Sequence, residues 1–127
     1  MQLKKQSLIL SFVIGGAFAA PHAAWAQAAP RSFAAQPDVY KVIAENEQYR
    51  IIEATWKPGQ RDAWHSHGAV VASYSLTGCT SRLHSPDGKF AENTTKPGRA
   101  QIRPVAPSHS FENIGKTECK SILFEPK

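Results

Sequence analysis

Short runs of alternating apolar and polar residues, separated by turn residues, make up most of this chain after residue 38. β-branched and aromatic residues are concentrated in these runs, and Pro and Gly fall between the runs. The pattern predicts eight strands, at 40–44, 49–57, 69–76, 80–85, 90–94, 100–103, 108–113 and 119–124. The clearest turn is Pro86-Asp87-Gly88, because Pro and Asp favour turn positions and Gly tolerates a positive φ.

Strands this short and numerous predict a closed β-structure. An open sheet would expose its edges, whereas closure into a barrel or a jelly roll removes or protects them. We therefore predict an all-β fold, a small closed barrel or jelly roll of about eight or more short antiparallel strands. The barrel domain spans residues 38–127, and a chain of 127 residues has room for one domain only. Such a barrel has an interior wide enough for one small ligand or a metal ion.

The first 26 residues have the three parts of a secretory signal peptide. A start with two lysines is followed by an apolar run that begins at residues 8–14 and ends at Pro21. The small-x-small pattern at 24–26 (Ala-Trp-Ala) then precedes the expected cleavage after Ala26. The apolar run is shorter than the roughly 20 residues that a membrane-spanning helix needs. We therefore expect a periplasmic or secreted protein without a membrane span. Residues 27–37, rich in Ala, Pro and Gln, are expected to form a flexible leader.

Composition and charge exclude several classes of protein. The chain is 42% apolar and 20% charged, which is typical of a globular domain. It has 15 basic and 10 acidic residues, and removal of the signal with its two lysines leaves a net charge of +3. The basic residues are scattered rather than clustered, so we expect no nucleic-acid partner. The sequence contains no Gly-rich phosphate loop and suggests no Ser/His/Asp triad.

Cys79 and Cys119 are the only cysteines, and the sequence leaves their state open. In an oxidising compartment the pair can form a disulfide. Two separate buried thiols, which behave as small apolar residues, fit the sequence as well. Neither cysteine lies in a Cys-x-x-Cys motif, so we assign them no redox or metal chemistry.

Four histidines remain after removal of the signal, and three of them suggest a metal site. His65 and His67 are two residues apart, so in a strand both imidazoles point to the same face. His109 lies in another predicted strand, which a closed barrel can bring opposite the pair. Three neutral imidazoles suit one divalent transition metal (Fe, Zn, Ni, Mn or Cu) better than Mg²⁺ or Ca²⁺. The fourth, His84, is expected near the turn at 86–88, on the surface.

The spacing of these histidines resembles the two sequence motifs of the cupin family. Eight of the ten fixed positions agree, and they are Gly59, His65, His67 and Gly78 in the first motif and Gly98, Pro104, His109 and Asn113 in the second. The flanking sequence is similar to that of small single-domain cupins (cupin type 2) that carry a β-alanine-degradation label. The resemblance implies an RmlC-like β-barrel that binds a metal and a small molecule, with a homodimer as a further expectation.

Two positions depart from the cupin motifs. Val71 replaces the glutamate of the first motif, and Ala106 replaces a turn glycine of the second. Val71 keeps the inward parity of His67, so an apolar side chain faces the metal where a carboxylate is usual. The resemblance therefore implies a three-histidine centre, like those of the cupin thiol dioxygenases and the acetylacetone dioxygenase. Such a centre leaves up to three positions for water, O₂ or a bidentate substrate.

Strand parity also predicts which side chains line the site. Positions that share the face of His67 or of His109 mix apolar groups with a few hydroxyls and one amide, as small-ligand pockets do. The predicted lining residues are Val71, Ser73, Ser75, Phe111 and Asn113. Arg82 and Arg103 are either partners for a substrate carboxylate or ordinary solvated arginines.

Two functions of different kinds are compatible with these predictions. The first is an exported metal-binding cupin that acts as an oxygen-dependent, dioxygenase-like enzyme on a small polar organic molecule. The second is a non-catalytic periplasmic module that binds a small ligand or a metal ion. The sequence leaves open which of the two the chain performs.

Overall fold

The structure, a computed structural model, describes residues 28–127, so the predicted signal peptide lies outside the described residues. In chain order the elements are α1 (Ser32–Ala35), β1 (Tyr40–Glu45), β2 (Tyr49–Trp56), β3 (His65–His67), β4 (Val71–Ser75), β5 (Cys79–His84), β6 (Phe90–Thr95), β7 (Ala100–Arg103), β8 (Ala106–Asn113) and β9 (Cys119–Pro126). No helix in this part of the chain has the length and apolar character needed to cross a membrane.

The strands form two sheets, and every strand pair is antiparallel. The first sheet has the order β1-β2-β9-β4-β7, and the second has the order β3-β8-β5-β6. This architecture confirms the predicted all-β fold. The eight predicted strands are all present, with ends that differ by no more than two residues. The ninth strand, β3, has only three residues, too few to show an alternating pattern.

The apolar core lies between the two sheets. The alternation of β2 directs Ile52, Ala54 and Trp56 inward, where all three are buried. On β4 the same alternation places serine at two of the three buried positions, Ser73 and Ser75. Because serine is small, these inward positions leave open volume between the sheets instead of filling it.

A disulfide joins Cys79 at the start of β5 to Cys119 at the start of β9. Their Cα atoms are 5.1 Å apart, within the usual range for a disulfide. Since β5 and β9 belong to different sheets, the bond connects the two layers covalently. The structure thus answers the question that the sequence left open.

Residues 28–37, predicted as a flexible leader, contain α1 and contact the barrel in the structure. The Ser66 amide donates a hydrogen bond to the Pro30 carbonyl at 2.8 Å. Phe33 packs against the core, and the Arg50 guanidinium lies 4.1 Å from the centre of its ring. These contacts, together with an ion pair between Arg31 and Glu125, form only in the folded barrel. Composition, on which the prediction of a leader rested, contains no signal for them.

Candidate metal centre

Pairing of β3 with β8 brings the three predicted ligands together. His65 lies directly opposite His109 in the register of the two strands, and His67 follows two residues later. Each imidazole offers one nitrogen, and the three nitrogens all lie within 4.8 Å of one another. The ring centres are 4.2 Å apart for His65 and His109 and 5.0 Å apart for His67 and His109. His84 is not part of this cluster.

Hydrogen bonds orient two of the three imidazoles. Nδ1 of His65 donates to the Ala63 carbonyl at 2.9 Å, and Nδ1 of His67 donates to Oε1 of Glu125 at 3.4 Å. Both acceptors favour the tautomer with its proton on Nδ1, which leaves a lone pair on Nε2. Nε2 of His67 has no protein partner among the described residues, whereas Nε2 of His65 lies 3.1 Å from the Tyr40 hydroxyl. Such a fixed tautomer is characteristic of histidines that bind metals.

The third imidazole has a polar atom without a partner. Nδ1 of His109 is buried and makes no hydrogen bond to any described residue. Buried polar groups in proteins are normally satisfied, so this atom is an exception that needs an explanation. Ligation of a cation through this nitrogen would supply the missing partner. Three neutral nitrogen donors fit a divalent transition metal, so the residues present fit the predicted ion.

A buried carboxylate, that of Asp62, supports the site from behind. Its Oδ2 accepts hydrogen bonds from the Tyr40 hydroxyl at 2.6 Å and the Trp56 indole at 2.9 Å, and its Oδ1 accepts one from the Phe111 amide at 2.7 Å. Burial and the Asp62 charge raise the pKa of Tyr40 well above its ordinary value, so the hydroxyl keeps its proton. The Tyr40 oxygen lies 3.1 Å from Nε2 of His65, at the edge of the candidate site.

A second buried carboxylate, Glu125, lies behind His67. Arg50 and Arg31 approach it at 3.6 and 4.0 Å. Burial alone would raise the pKa of Glu125, but the hydrogen bond from His67 and the two guanidinium groups offset this, and the pKa falls below its ordinary value. Glu125 is therefore charged at neutral pH and holds the imidazole of His67 in place.

A cavity of about 380 Å³ opens between the sheets beside these histidines. Its volume is in the range of small-ligand pockets. His67 and His109 form part of its wall, together with Tyr40. Four of the five predicted lining residues also face it, and they are Val71, Ser73, Ser75 and Phe111.

Asn113, the fifth predicted lining residue, does not face the cavity. It is fully buried at the end of β8, where its Nδ2 donates to the backbone carbonyls of Trp56 and Thr117. Its Oδ1 accepts a hydrogen bond from the Gly115 amide at 3.0 Å. Strand parity does not decide the role of this residue, because its side-chain amide forms hydrogen bonds with backbone groups of the following turn.

The two arginines that the sequence left open have different surroundings. Arg82 donates to Glu92 at 2.6 Å and does not line the cavity. Beside it, Nε2 of His84 lies 2.7 Å from Glu112, which places this histidine in a partly buried network outside the cavity. Arg103, by contrast, lines the cavity.

Three supporting residues of the site were not predicted, namely Tyr40, Asp62 and Glu125. Glu125 had a detectable signal, because it shares the inward parity of Leu123 in β9, and an acid at an inward position is unusual. The predicted strand ended at residue 124 and so excluded it. Asp62 and Tyr40 had no such signal, since Asp62 precedes β3 in a loop and Tyr40 resembles any other strand residue.

Two of the three imidazoles, those of His65 and His109, have lowered pKa values. Burial lowers the pKa of His65 despite the opposing effect of the Asp62 carboxylate. Burial, with repulsion from the other two imidazoles and Arg103, lowers the pKa of His109 to about 3. Neutral rings can accept a cation without first losing a proton. His65 and His109 therefore remain available as ligands below neutral pH.

This low pKa predicts a loss of stability in acid for the metal-free protein. Because the folded pKa of His109 lies below its unfolded value of about 6.5, the unfolded chain binds more protons as the pH falls from 6.5 towards 3. We expect His109 to account for a loss of about 1–2 kcal/mol in unfolding free energy between pH 7 and pH 5. Urea denaturation in EDTA measures this loss. Glutamine does not titrate, so the unfolding free energy of the variant His109→Gln should fall by about 1–2 kcal/mol less than that of the wild type between pH 7 and pH 5. An equal fall in both proteins would contradict the low pKa of His109.

Comparison with known proteins agrees with this architecture. No protein-family model matches the chain, and no curated protein matches it. Among solved structures, a cupin domain from Bordetella pertussis Tohama I is 25% identical with a TM-score of 0.64, over 70% of this chain and 92% of that domain. An RmlC-like cupin family protein with a double-stranded β-helix fold from Methanocaldococcus jannaschii is 16% identical with a TM-score of 0.55, over 69% of this chain and 78% of that one.

A third match is an uncharacterized conserved protein with a double-stranded β-helix domain from Klebsiella pneumoniae. It is 20% identical with a TM-score of 0.54, over 69% of this chain and 76% of that one. The chain has the cupin fold, the double-stranded β-helix, with a three-histidine cluster in its wall. The more specific resemblance to cupins with a β-alanine-degradation label stays a prediction.

Proposed function

We propose that this chain is an exported metal-binding cupin that carries out oxygen-dependent, dioxygenase-like chemistry on a small polar organic molecule. One observation carries the proposal, namely that three imidazole nitrogens converge within 4.8 Å beside a cavity of about 380 Å³. A bound divalent transition metal would act there as a Lewis acid and as a template for substrate and O₂. Its protein ligands would be His65, His67 and His109.

The residues around the centre have separate tasks in this proposal. The Ala63 carbonyl and the Glu125 carboxylate fix the rings of His65 and His67, so these ligands need little reorganisation. Val71 and Phe111 form an apolar wall that excludes water from the substrate. The hydroxyls of Ser73 and Ser75 offer hydrogen bonds to a polar substrate group.

A second function, a non-catalytic module that binds a small ligand or a metal, is favoured by a different observation. None of the described residues that line the cavity is Asp or Glu. Asp62, the carboxylate nearest to His65, already accepts three hydrogen bonds from its own protein. The cavity therefore lacks a free carboxylate base, which many enzymes need and a binding module does not.

Export is part of the proposal, with cleavage after Ala26 and release into the periplasm or medium. The bond between Cys79 and Cys119 supports this location, because disulfides persist in oxidising compartments and are rare in the cytosol.

The homodimer stays a prediction. The exposed apolar side chains of Tyr74, Ile102 and Phe124, on adjacent strands of the first sheet, are compatible with it.

Metal analysis followed by oxygen uptake tests the two functions against each other. The purified protein is assayed for bound metal and then supplied with a panel of thiols and diketones in an oxygen electrode. We expect about one divalent transition metal per chain, and oxygen uptake with at least one compound that EDTA treatment abolishes. Metal without uptake across the panel would favour the binding module. A protein that binds no added Fe, Zn, Ni, Mn or Cu would contradict the dioxygenase-like function and leave only a module that binds a small ligand.

A further inference from the structure

One positive charge in the cavity wall has no negative partner. Arg103 is the last residue of β7, and it lies directly opposite Val71 of β4 in the sheet register. Both side chains face the cavity. The guanidinium makes one hydrogen bond, from Nη2 to Oε1 of the neutral Gln101 at 3.3 Å. It forms no ion pair with a carboxylate of the described residues, so most of its five N–H donors are available.

The surroundings of Arg103 do not supply the missing charge. The other titratable residues of the cavity wall are His67, His109 and Tyr40, none of which carries a carboxylate. Asp62 and Glu125 lie behind the histidines and are occupied by other donors. Burial lowers the pKa of the Arg103 guanidinium, an effect opposed by Tyr40 and assisted by Arg99. A partly buried charge without a partner is costly, and an anion in the cavity would offset that cost.

We infer that the cavity binds a small organic carboxylate, whose carboxylate group pairs with Arg103 while its apolar part contacts Val71 and Phe111. This inference deepens the proposed function, on which it rests, by naming the class of substrate or ligand. The planar guanidinium fork matches a carboxylate through two parallel hydrogen bonds. The apolar wall and the serine hydroxyls then select the remainder of the molecule.

Binding of butyrate and of its neutral analogue butyramide tests the inference. The protein is first treated with EDTA, so that no metal can take the carboxylate, and dissociation constants are measured by NMR titration. We expect butyrate to bind at least 10-fold more tightly than butyramide. Arg103→Gln should remove this preference. Arg82→Gln, which changes an arginine that does not line the cavity, should keep it.

A second variant supplies the missing carboxylate from the protein itself. Because Val71 lies opposite Arg103, Val71→Glu places a carboxylate beside the guanidinium. We expect this variant to weaken butyrate binding at least 10-fold and to leave butyramide binding less affected. The thermal midpoint, measured on the same samples, identifies a variant that has unfolded. If one of the two variants has unfolded, the result with the folded one is read together with the preference of the wild type for butyrate over butyramide.

The inference is overturned if wild-type protein binds butyrate and butyramide equally, or if a folded Arg103→Gln variant keeps the preference for butyrate. Measurements of metal binding and of carboxylate preference distinguish failure of this inference from failure of the proposed function. Metal binding with no carboxylate preference would retain the metal centre and reject the role of Arg103. A carboxylate preference without any metal binding would retain the role of Arg103 and reject the metal centre.

Discussion

Replacement of His109 by alanine should abolish stoichiometric metal binding. The three imidazoles are the described side chains that converge on one point, and removal of one leaves two neutral ligands. Loss of a residue that only supports a ligand already weakens metal affinity about 10–100-fold, so loss of a ligand should cost more than about 100-fold. Metal content after dialysis, measured by elemental analysis, should fall from about one ion per chain to almost none.

Two further variants define the ligand set. His84→Ala should keep full metal content, because His84 contacts Glu112 and lies outside the cluster. Glu125→Gln should weaken binding about 10–100-fold, because it removes the carboxylate that orients His67. A folded His109→Ala variant that retains a full equivalent of metal would contradict the three-histidine centre.

Removal of the disulfide should produce the largest loss of stability. The bond joins residues that are 40 positions apart, and closure of a loop of this length restricts the unfolded chain by about 4 kcal/mol at 25 °C. It also connects the two sheets. Since small domains are stable by about 5–15 kcal/mol, the reduced protein should be close to the limit of folding. Urea denaturation with and without dithiothreitol measures the difference.

The double variant Cys79→Ala/Cys119→Ala provides the matched control. Its unfolding midpoint should lie near that of the reduced wild type and should not respond to dithiothreitol. A count of free thiols in denaturant confirms that the wild type has been reduced. Equal midpoints for oxidised and fully reduced wild type would mean that the bond does not stabilise the fold.

Most of the correct predictions came from strand alternation and motif spacing, because both depend on local geometry. Ile52, Ala54 and Trp56 revealed a half-buried strand, and the separation of His65 from His67 revealed a shared face. Both signals repeat with the period of a strand, so they can be seen without knowledge of the fold. The eight predicted strands and the convergence of the histidines were accessible for this reason.

The features that the sequence missed or left open depend on contacts between distant segments. Cys79 and Cys119 become neighbours only after both sheets have formed, and sequence contains no measure of that distance. The hydrogen bonds of Asp62 reach β1, β2 and β8, so its role exists only in the assembled barrel. Asn113 has the parity of a lining residue, but its side-chain amide forms hydrogen bonds with the backbone of the following turn instead.

Charge balance at the centre links the metal to an anion. The Glu125 charge is shared with Arg50 and Arg31, and Val71 provides no carboxylate, so a divalent ion beside Arg103 would find little compensation in the protein except Asp62. An anion in the cavity would reduce this excess of positive charge. By thermodynamic reciprocity, the metal and the anion should then raise each other's affinity by the same factor. Metal occupancy would therefore follow the supply of small anions in the compartment where the protein resides.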